Sequence, residues 1–254
     1  MWLYPTCVAH RGGGKLAPEN TLAGLRCALA HGYRAVEFDV MLARDSVPVV
    51  MHDPHLGRTV SGIGNVFDYD AAELVTMDAG SWFGREHADV TVPLLTEYVD
   101  FCKGHGLWMN IELKPAPGFE EPTGRIVARL VRAMFCPEIG ADDPRWIPLL
   151  SSFSVVALQA ARAAAPDLPR ALLLDRIDGD WDATARRLQA VAIHTNHRHL
   201  TPAQAAAIKA GGYALFCYTV NDPLRARELL DWGVEGFCTD RIDLIPADFA
   251  AKAR

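Results

Sequence analysis

A closed (β/α)8 TIM barrel is the fold this sequence predicts, and three observations predict it. Short apolar runs alternate with amphipathic segments about eight times between Cys7 and Thr239, the rhythm of a parallel sheet with crossover helices. The chain has 254 residues, which suits one barrel of ~250 residues. His10, Glu37, Asp39, Glu112, Lys114, Asn196, Asn221 and Asp240 all fall where a strand hands over to a helix, and barrel sites lie at those C-terminal strand ends. A doubly wound open sheet is the alternative. The whole chain, 1–254, reads as one domain with a small insertion after the second strand, over about 54–94.

Composition narrows the class. Apolar residues make up 50% and charged residues 22%, as in a soluble globular protein. The net charge of −6, without a basic stripe, argues against a nucleic-acid partner. No apolar run approaches the ~20 residues of a membrane span, so no membrane anchoring is expected. Met1-Trp2-Leu3-Tyr4-Pro5 has neither the basic start nor the apolar core of a signal peptide. The six cysteines form no C-x-x-C pair, which points away from zinc and redox chemistry. They read as small buried residues in a reducing cytoplasm.

In order, Thr6 to Ala9 is a strand running into His10-Arg11-Gly12-Gly13-Gly14. Glycines there allow close backbone approach to a ligand such as phosphate, or form an ordinary turn. Leu22, Leu25, Ala28 and Leu29 have helical spacing, with Asn20 or Thr21 as cap. For Asn20, capping is favoured over ligand contact. Ala35 to Val40 and Val47 to Met51 are extended runs about a polar turn. A hairpin centred on Asp45-Ser46 sets His52 opposite Asp39. The insertion holds one short helical candidate, Asp70 to Met77, and the aromatics Trp82 and Phe83. These two aromatics either cover a substrate or pack the insertion's own core, and the insertion is expected to govern substrate choice rather than chemistry.

Beyond it, helices are predicted from Thr96 to about Gly104 and over Glu120–Phe135, Val155–Ala164, Trp181–Leu188, Pro202–Lys209 and Pro223–Trp232. Strands are predicted over Leu107–Leu113, Trp146–Leu150, Ala171–Leu174, Val191–His194, Tyr213–Val220 and Gly236–Thr239.

Glu37 and Asp39 are two apart on a strand and share a face. With Glu112 they offer hard oxygen ligands, which suit Mg²⁺ first and Ca²⁺ or Mn²⁺ next. His10 and His52 are the candidate acid and base, since histidine titrates near neutrality. Arg11 can grip a phosphate with two nitrogens or brace its loop. Lys114 can hold an anion, pair with a carboxylate, or do both. His194 ends a predicted strand and is a candidate substrate contact, as are Tyr218 and Asn221.

At these residues the sequence resembles the glycerophosphodiester phosphodiesterases. The motifs are AHRGGGKLAPENTLAG (Ala9 to Gly24), VEFDV (Val36 to Val40), PVVMHD (Pro48 to Asp53), MDAGSWF (Met77 to Phe83), IELKP (Ile111 to Pro115), LLSSF (Leu149 to Phe153), YTVND (Tyr218 to Asp222) and CTDRID (Cys238 to Asp243). The resemblance implies a barrel with a small insertion and hydrolysis of deacylated phospholipids to glycerol 3-phosphate and an alcohol. It implies metal ligation by Glu37, Asp39 and Glu112, acid–base work by His10 and His52, and phosphate contacts from Arg11 and Lys114. Tyr218 stands where many relatives carry Trp. Two rival expectations are a non-catalytic barrel that binds a phosphate ligand and a metal-dependent sugar isomerase.

Overall fold

The structure is a computed structural model that describes residues 2–141 and 145–251. The barrel strands are β1 (Cys7–Ala9), β2 (Ala35–Leu42), β4 (Trp108–Leu113), β5 (Leu149–Ser152), β6 (Arg170–Leu174), β7 (Ala192–Asn196), β8 (Ala214–Tyr218) and β9 (Gly236–Thr239). They pair in that order, all parallel, and β1 closes the ring by pairing with both β2 and β9. The sheet is therefore a closed barrel, not the open sheet. The ninth strand, β3 (Pro48–Val50), runs antiparallel to β2.

Helices α1 (Leu22–Ala30), α3 (Leu95–Gly104), α4 (Glu120–Met134), α6 (Val155–Ala164), α7 (Trp181–Leu188), α8 (Pro202–Ala210) and α9 (Pro223–Asp231) link the barrel strands. Two shorter helices are α2 (Ala71–Leu74) in the insertion and α5 (Cys136–Gly140) after α4. Alternation on each strand divides two cores. Val36, Phe38 and Val40 face the helices and are fully buried. Val8, Ala35, Trp108, Leu149, Ala171 and Ala192 fill the barrel floor. Tyr4 stacks on Trp108 at 4.2 Å, and Trp2 packs on Phe216 at 5.7 Å. These two N-terminal aromatics close the bottom of the barrel, leaving the top for the site.

Several elements differ from the spacing-based expectation. The fifth strand begins at Leu149 rather than Trp146, because Pro148 supplies no amide to the ladder. Trp146 is half-exposed. The seventh strand runs on to Asn196, so His194 lies inside the barrel and not at its rim. A second helix after β4, α5, is opened by Pro137, where spacing predicts a single one.

The hairpin register also differs. Ala43 N donates to Val47 O at 3.0 Å, and Ser46 has φ 64°. The loop is thus Arg44-Asp45-Ser46, three residues closed by a left-handed residue, not a two-residue turn. Val40 pairs with Val50, and Met51 N donates to Asp39 O at 3.0 Å. Met51, not His52, stands opposite Asp39. His52 lies beyond the end of β3 and reaches the site from the following turn.

The insertion carries its own small core of Met41, Ala43, Val49, Met51, Val60, Val66, Ala71, Leu74, Ala79 and Val92. That burial holds it against the hairpin. Trp82 packs edge-on against Phe83 at 5.6 Å and donates Nε1 to Ala79 O at 2.9 Å.

Candidate active site

Pairing between β2 and β4 assembles the carboxylates. Asp39 lies across from Glu112, and Glu37 across from Asn110. One oxygen from each of Glu37, Asp39 and Glu112 lies within 4.8 Å of the others, and all three residues are buried. Like charges this close in low dielectric disfavour full ionisation. Burial, then Asp39 and Glu112, push Glu37 well above the usual carboxylate range. Burial and Asp39 carry Glu112 up to about 7 in spite of Lys114. Burial opposes ionisation of Asp39, but Arg11, Lys114 and His52 overcome it, so this carboxyl is held low.

The neighbouring cations are Arg11, with Nε 3.4 Å from Asp39 Oδ2, and Lys114, with Nζ 3.1 Å from Glu112 and 3.7 Å from Asp39. Three carboxylates face two cations. This surplus of hard oxygen charge, aimed at one point, fits a divalent ion such as Mg²⁺.

Asn20 fixes the middle ligand. Its Nδ2 donates to Asp39 Oδ2 at 2.9 Å, and its Oδ1 accepts from Asp39 N at 3.2 Å. Thr21 alone caps α1, accepting from Gly24 N. Asn20 is thus a support for Asp39 and not the cap. Its φ of 58° is the conformation that asparagine tolerates best among non-glycine residues.

The two histidines are built alike. His10 Nδ1 lies 2.6 Å from Asp240 Oδ1, and His52 Nδ1 lies 2.6 Å from Asp53 Oδ1. A carboxylate on Nδ1 fixes the ring's orientation and tautomer. The opposite nitrogens face the site: His10 Nε2 is 3.7 Å from Glu37 Oε2, and Lys114 Nζ is 2.8 Å from His52 Nε2. Burial, with Arg11 and Lys114 nearby, pushes His52 below the ordinary histidine value against the pull of Asp39 and Asp53. Burial would raise Asp240, but hydrogen bonds from His10 and Asn221 bring it to about 2.

His10, Arg11, Glu37, His52, Glu112 and Lys114 line one cavity of ≈ 210 Å³, with Phe153 and Tyr218 on its wall. Tyr218 OH donates to Leu174 O at 3.0 Å, and its ring meets Phe153 edge-on at 5.8 Å. His194 is on the floor of the cavity, 1% exposed, with its ring tilted against that of Phe216 at 4.5 Å. Burial lowers it to about 3, so it is neutral at working pH.

The other candidate residues stand in different places. Asn221 does not line the cavity. Its amide is used on the neighbouring turn, donating to Asp240 Oδ2 at 2.8 Å and accepting from Asp240 N at 2.8 Å. Gly12, Gly13 and Gly14 do not line it either. They make room for the chain itself: a Cβ on Gly14, at φ 56°, would overlap the carbonyl of Asp240. Trp82 and Phe83 are likewise absent from the lining. Arg11 braces its loop, donating to Glu19 at 2.9 Å, and also borders the cavity. Lys114 pairs with the carboxylates and still borders the cavity. The residues that spacing did not flag are Asn20, Asp53 and the functional use of Asp240. The signal for the last two was chemical, since an acid–base histidine needs a partner on its other nitrogen.

Barrel, oxygen cluster and paired imidazoles together make one polar site whose groups are of the kind used for metal-assisted acid–base chemistry. The profile of the glycerophosphoryl diester phosphodiesterase family matches residues 10–244. A glycerophosphodiester phosphodiesterase of Caldanaerobacter subterraneus subsp. tengcongensis is 31% identical over 238 residues, covering 92% of this chain and 93% of that one. The solved structure of an Oleispira antarctica phosphodiesterase in complex with the product sn-glycerol-3-phosphate superposes with a TM-score of 0.88 at 34% identity, covering 97% and 96% of the two chains. A glycerophosphodiester phosphodiesterase structure from Agrobacterium tumefaciens gives a TM-score of 0.76 at 29% identity, covering 97% and 99%. The chain belongs to the glycerophosphoryl diester phosphodiesterase family and is an enzyme of that class, which sets aside the non-catalytic binder and the sugar isomerase. Among the described residues no helix is long and apolar enough to cross a membrane.

Proposed function

We propose that this enzyme hydrolyses glycerophosphodiesters, such as glycerophosphocholine or glycerophosphoethanolamine, to sn-glycerol 3-phosphate and an alcohol. The product held by the Oleispira antarctica relative is the one expected here. The observation that carries the site assignment is the matched pair of imidazoles, each with Nδ1 on its own carboxylate at 2.6 Å, beside the buried carboxylate cluster.

Glu37, Asp39 and Glu112 hold a divalent ion, with Mg²⁺ preferred and Ca²⁺ or Mn²⁺ as substitutes. Bound there, such an ion supplies charge neutralisation at a phosphate oxygen and makes a nearby hydroxyl more acidic. Arg11 and Lys114 grip the phosphate. The aromatic wall of Tyr218 and Phe153 flanks the departing alcohol.

The surroundings of the two histidines support one assignment of roles. Lys114 donates to His52 Nε2, and burial keeps that ring neutral, so His52 is the base. His10 Nε2 looks towards Glu37, and His10 is the acid. His52 takes the proton of the substrate's own 2-hydroxyl, whose oxygen attacks phosphorus through a five-membered ring. The bond from phosphorus to the head-group oxygen breaks, and His10 protonates that oxygen. Water then opens the cyclic phosphate with the histidine roles reversed. An internal nucleophile is already in place, and effective molarities reach ~10⁵ M or more.

The test is glycerol 3-phosphate release from a panel of glycerophosphodiesters with added Mg²⁺. Chelation is expected to abolish it and Mg²⁺, Mn²⁺ or Ca²⁺ to restore it. Full activity after verified metal removal would refute the metal role. An analogue with hydrogen in place of the 2-hydroxyl separates the routes. Its cleavage at the parent's rate would leave direct attack by water. We place the enzyme in the cytoplasm, where its free cysteines, which include the exposed Cys136, stay reduced. Cell fractionation tests that.

A further inference from the structure

Arg58, in the insertion, reaches the carboxylates that stand behind the candidate reacting groups. Its Nε donates to Asp53 Oδ2, whose other oxygen is 2.6 Å from His52 Nδ1. Its two terminal nitrogens donate to both oxygens of Glu19, at 3.0 and 2.7 Å. Glu19 Oε1 also accepts from Arg11 at 2.9 Å, and Arg11 Nε lies 3.4 Å from Asp39. One planar guanidinium therefore joins the carboxylate that orients His52 to the carboxylate that braces Arg11. Paired N–H donors on a carboxylate fix direction as well as distance.

Arg58 is itself held in place. Gly57 N donates to Val60 O at 2.8 Å, and Ser61 N donates to Asp78 O at 3.0 Å. Thr59 and Val60 are buried, with Val60 in the insertion's own core. The side chain thus rises from a packed turn and not from a free loop. An isolated exposed ion pair contributes little, but here each carboxylate is shared with a cavity-lining group, Asp53 with His52 and Glu19 with Arg11.

We propose that Arg58 is a positioning residue, a latch through which the insertion holds the His52 and Arg11 sides of the site in one geometry. The insertion then serves the chemistry as well as substrate choice. The inference rests on the proposed function in taking His52 as a reacting group, so one readout is independent of turnover.

The experiment compares Arg58→Ala, Arg58→Lys and Asp53→Asn in the metal-loaded enzyme, with melting temperature as the control for folding. Should Ala lower folding, Arg58→Gln keeps most of the stem and replaces it. Arg58→Ala is expected to lower kcat about 10–100-fold, the scale of lost outer support, with KM changed by less than about threefold. A lysine ammonium cannot span both carboxylates, so Arg58→Lys is expected to recover part of kcat. In the Asp53→Asn background, Arg58→Ala is expected to add much less than it does alone. Imidazole ¹⁵N shifts are the second readout: Arg58→Ala should move those of His52 and leave those of His10, which Asp240 holds. Wild-type kcat in Arg58→Ala, or unchanged His52 shifts, would overturn the latch. A wild-type enzyme without turnover would defeat the proposed function instead, and the shifts would still decide for or against the latch.

Discussion

Replacing Asp240 by Asn tests whether His10 acts through a fixed tautomer. The outcome follows from the hydrogen bonds around that carboxylate. Asn221 Oδ1 is committed to Asp240 N at 2.8 Å and Thr239 Oγ1 at 3.2 Å. Its Nδ2 must therefore point at the side chain of residue 240, where Asp240 Oδ2 now accepts at 2.8 Å. A new amide can satisfy Asn221 only by turning its oxygen there. Its NH₂ then faces His10 Nδ1, which becomes an acceptor, and the ring proton moves to Nε2. A neutral ring protonated on Nε2 is a poor acid and no base in either half-reaction. The charge stabilisation lost adds to this. A carboxylate and an imidazolium with charge centres about 4 Å apart are worth ~4 kcal/mol at an effective dielectric of about 20, or roughly 10³-fold in rate. Asp240→Asn is expected to lower kcat by roughly 10²–10⁴-fold, with little change in fold because the two side chains are isosteric. Glycerol 3-phosphate release under saturating substrate and Mg²⁺ measures kcat, and thermal unfolding confirms the fold. A folded Asp240→Asn enzyme within about threefold of wild type would refute the tautomer argument.

Three further outcomes are expected. Asn20→Ala removes two hydrogen bonds from the buried Asp39 carboxylate and its amide, and places alanine at φ 58°. A loss of ~3 kcal/mol in stability and ~10–100-fold in Mg²⁺ affinity, read by unfolding and calorimetric titration, would agree, and unchanged affinity would not. His52→Ala should cut kcat by ~10²-fold or more. His105→Ala should do little, since that ring stacks on Phe101 at the far end of α3, and equal losses would misplace the base. His194, lowered to about 3 by burial, stays neutral in the native state while the unfolded chain protonates below pH ~6.5. Its folded value is depressed, so native stability falls as pH drops from about 6.5 towards 3, by ~2 kcal/mol at pH 5. His194→Leu should remove that part of the fall in melting temperature between about pH 7 and pH 5, and parallel curves for both proteins would count against it.

The fold was legible because barrels repeat: each strand is a short β-rich run, and each helix has its own caps and stripe. Gly236–Thr239 and Trp181–Leu188 have the bounds that spacing predicts, because Gly233 and Asp180 punctuate them. Legibility failed where one residue of phase mattered. A left-handed Ser46 is not written in composition, and it moved His52 out of register with Asp39. Yet His52 still enters the site, because two residues past β3 the chain is no longer bound to the pleat. What brings it in is a carboxylate next in sequence and an arginine from the insertion.

The reacting groups could be read from residue type, since few side chains take protons or bind hard cations. Their supports could not. Asn20, Asp53, Arg58 and Asp240 are ordinary loop residues until folding gives each a particular atom to hold. Asp53 is exposed enough to pass for a turn residue, and Asn20 sits where a cap belongs. Four of the site's groups have a counterpart that limits their freedom: Asp240 for His10, Asp53 for His52, Asn20 for Asp39 and Glu19 for Arg11. Three of these four lie on the β1–α1 loop or the hairpin's exit, and Arg58 connects two of the four. The first quarter of the chain therefore carries most of the geometry on which proton transfer depends. Changes there that spare every reacting side chain should still be felt in kcat before KM.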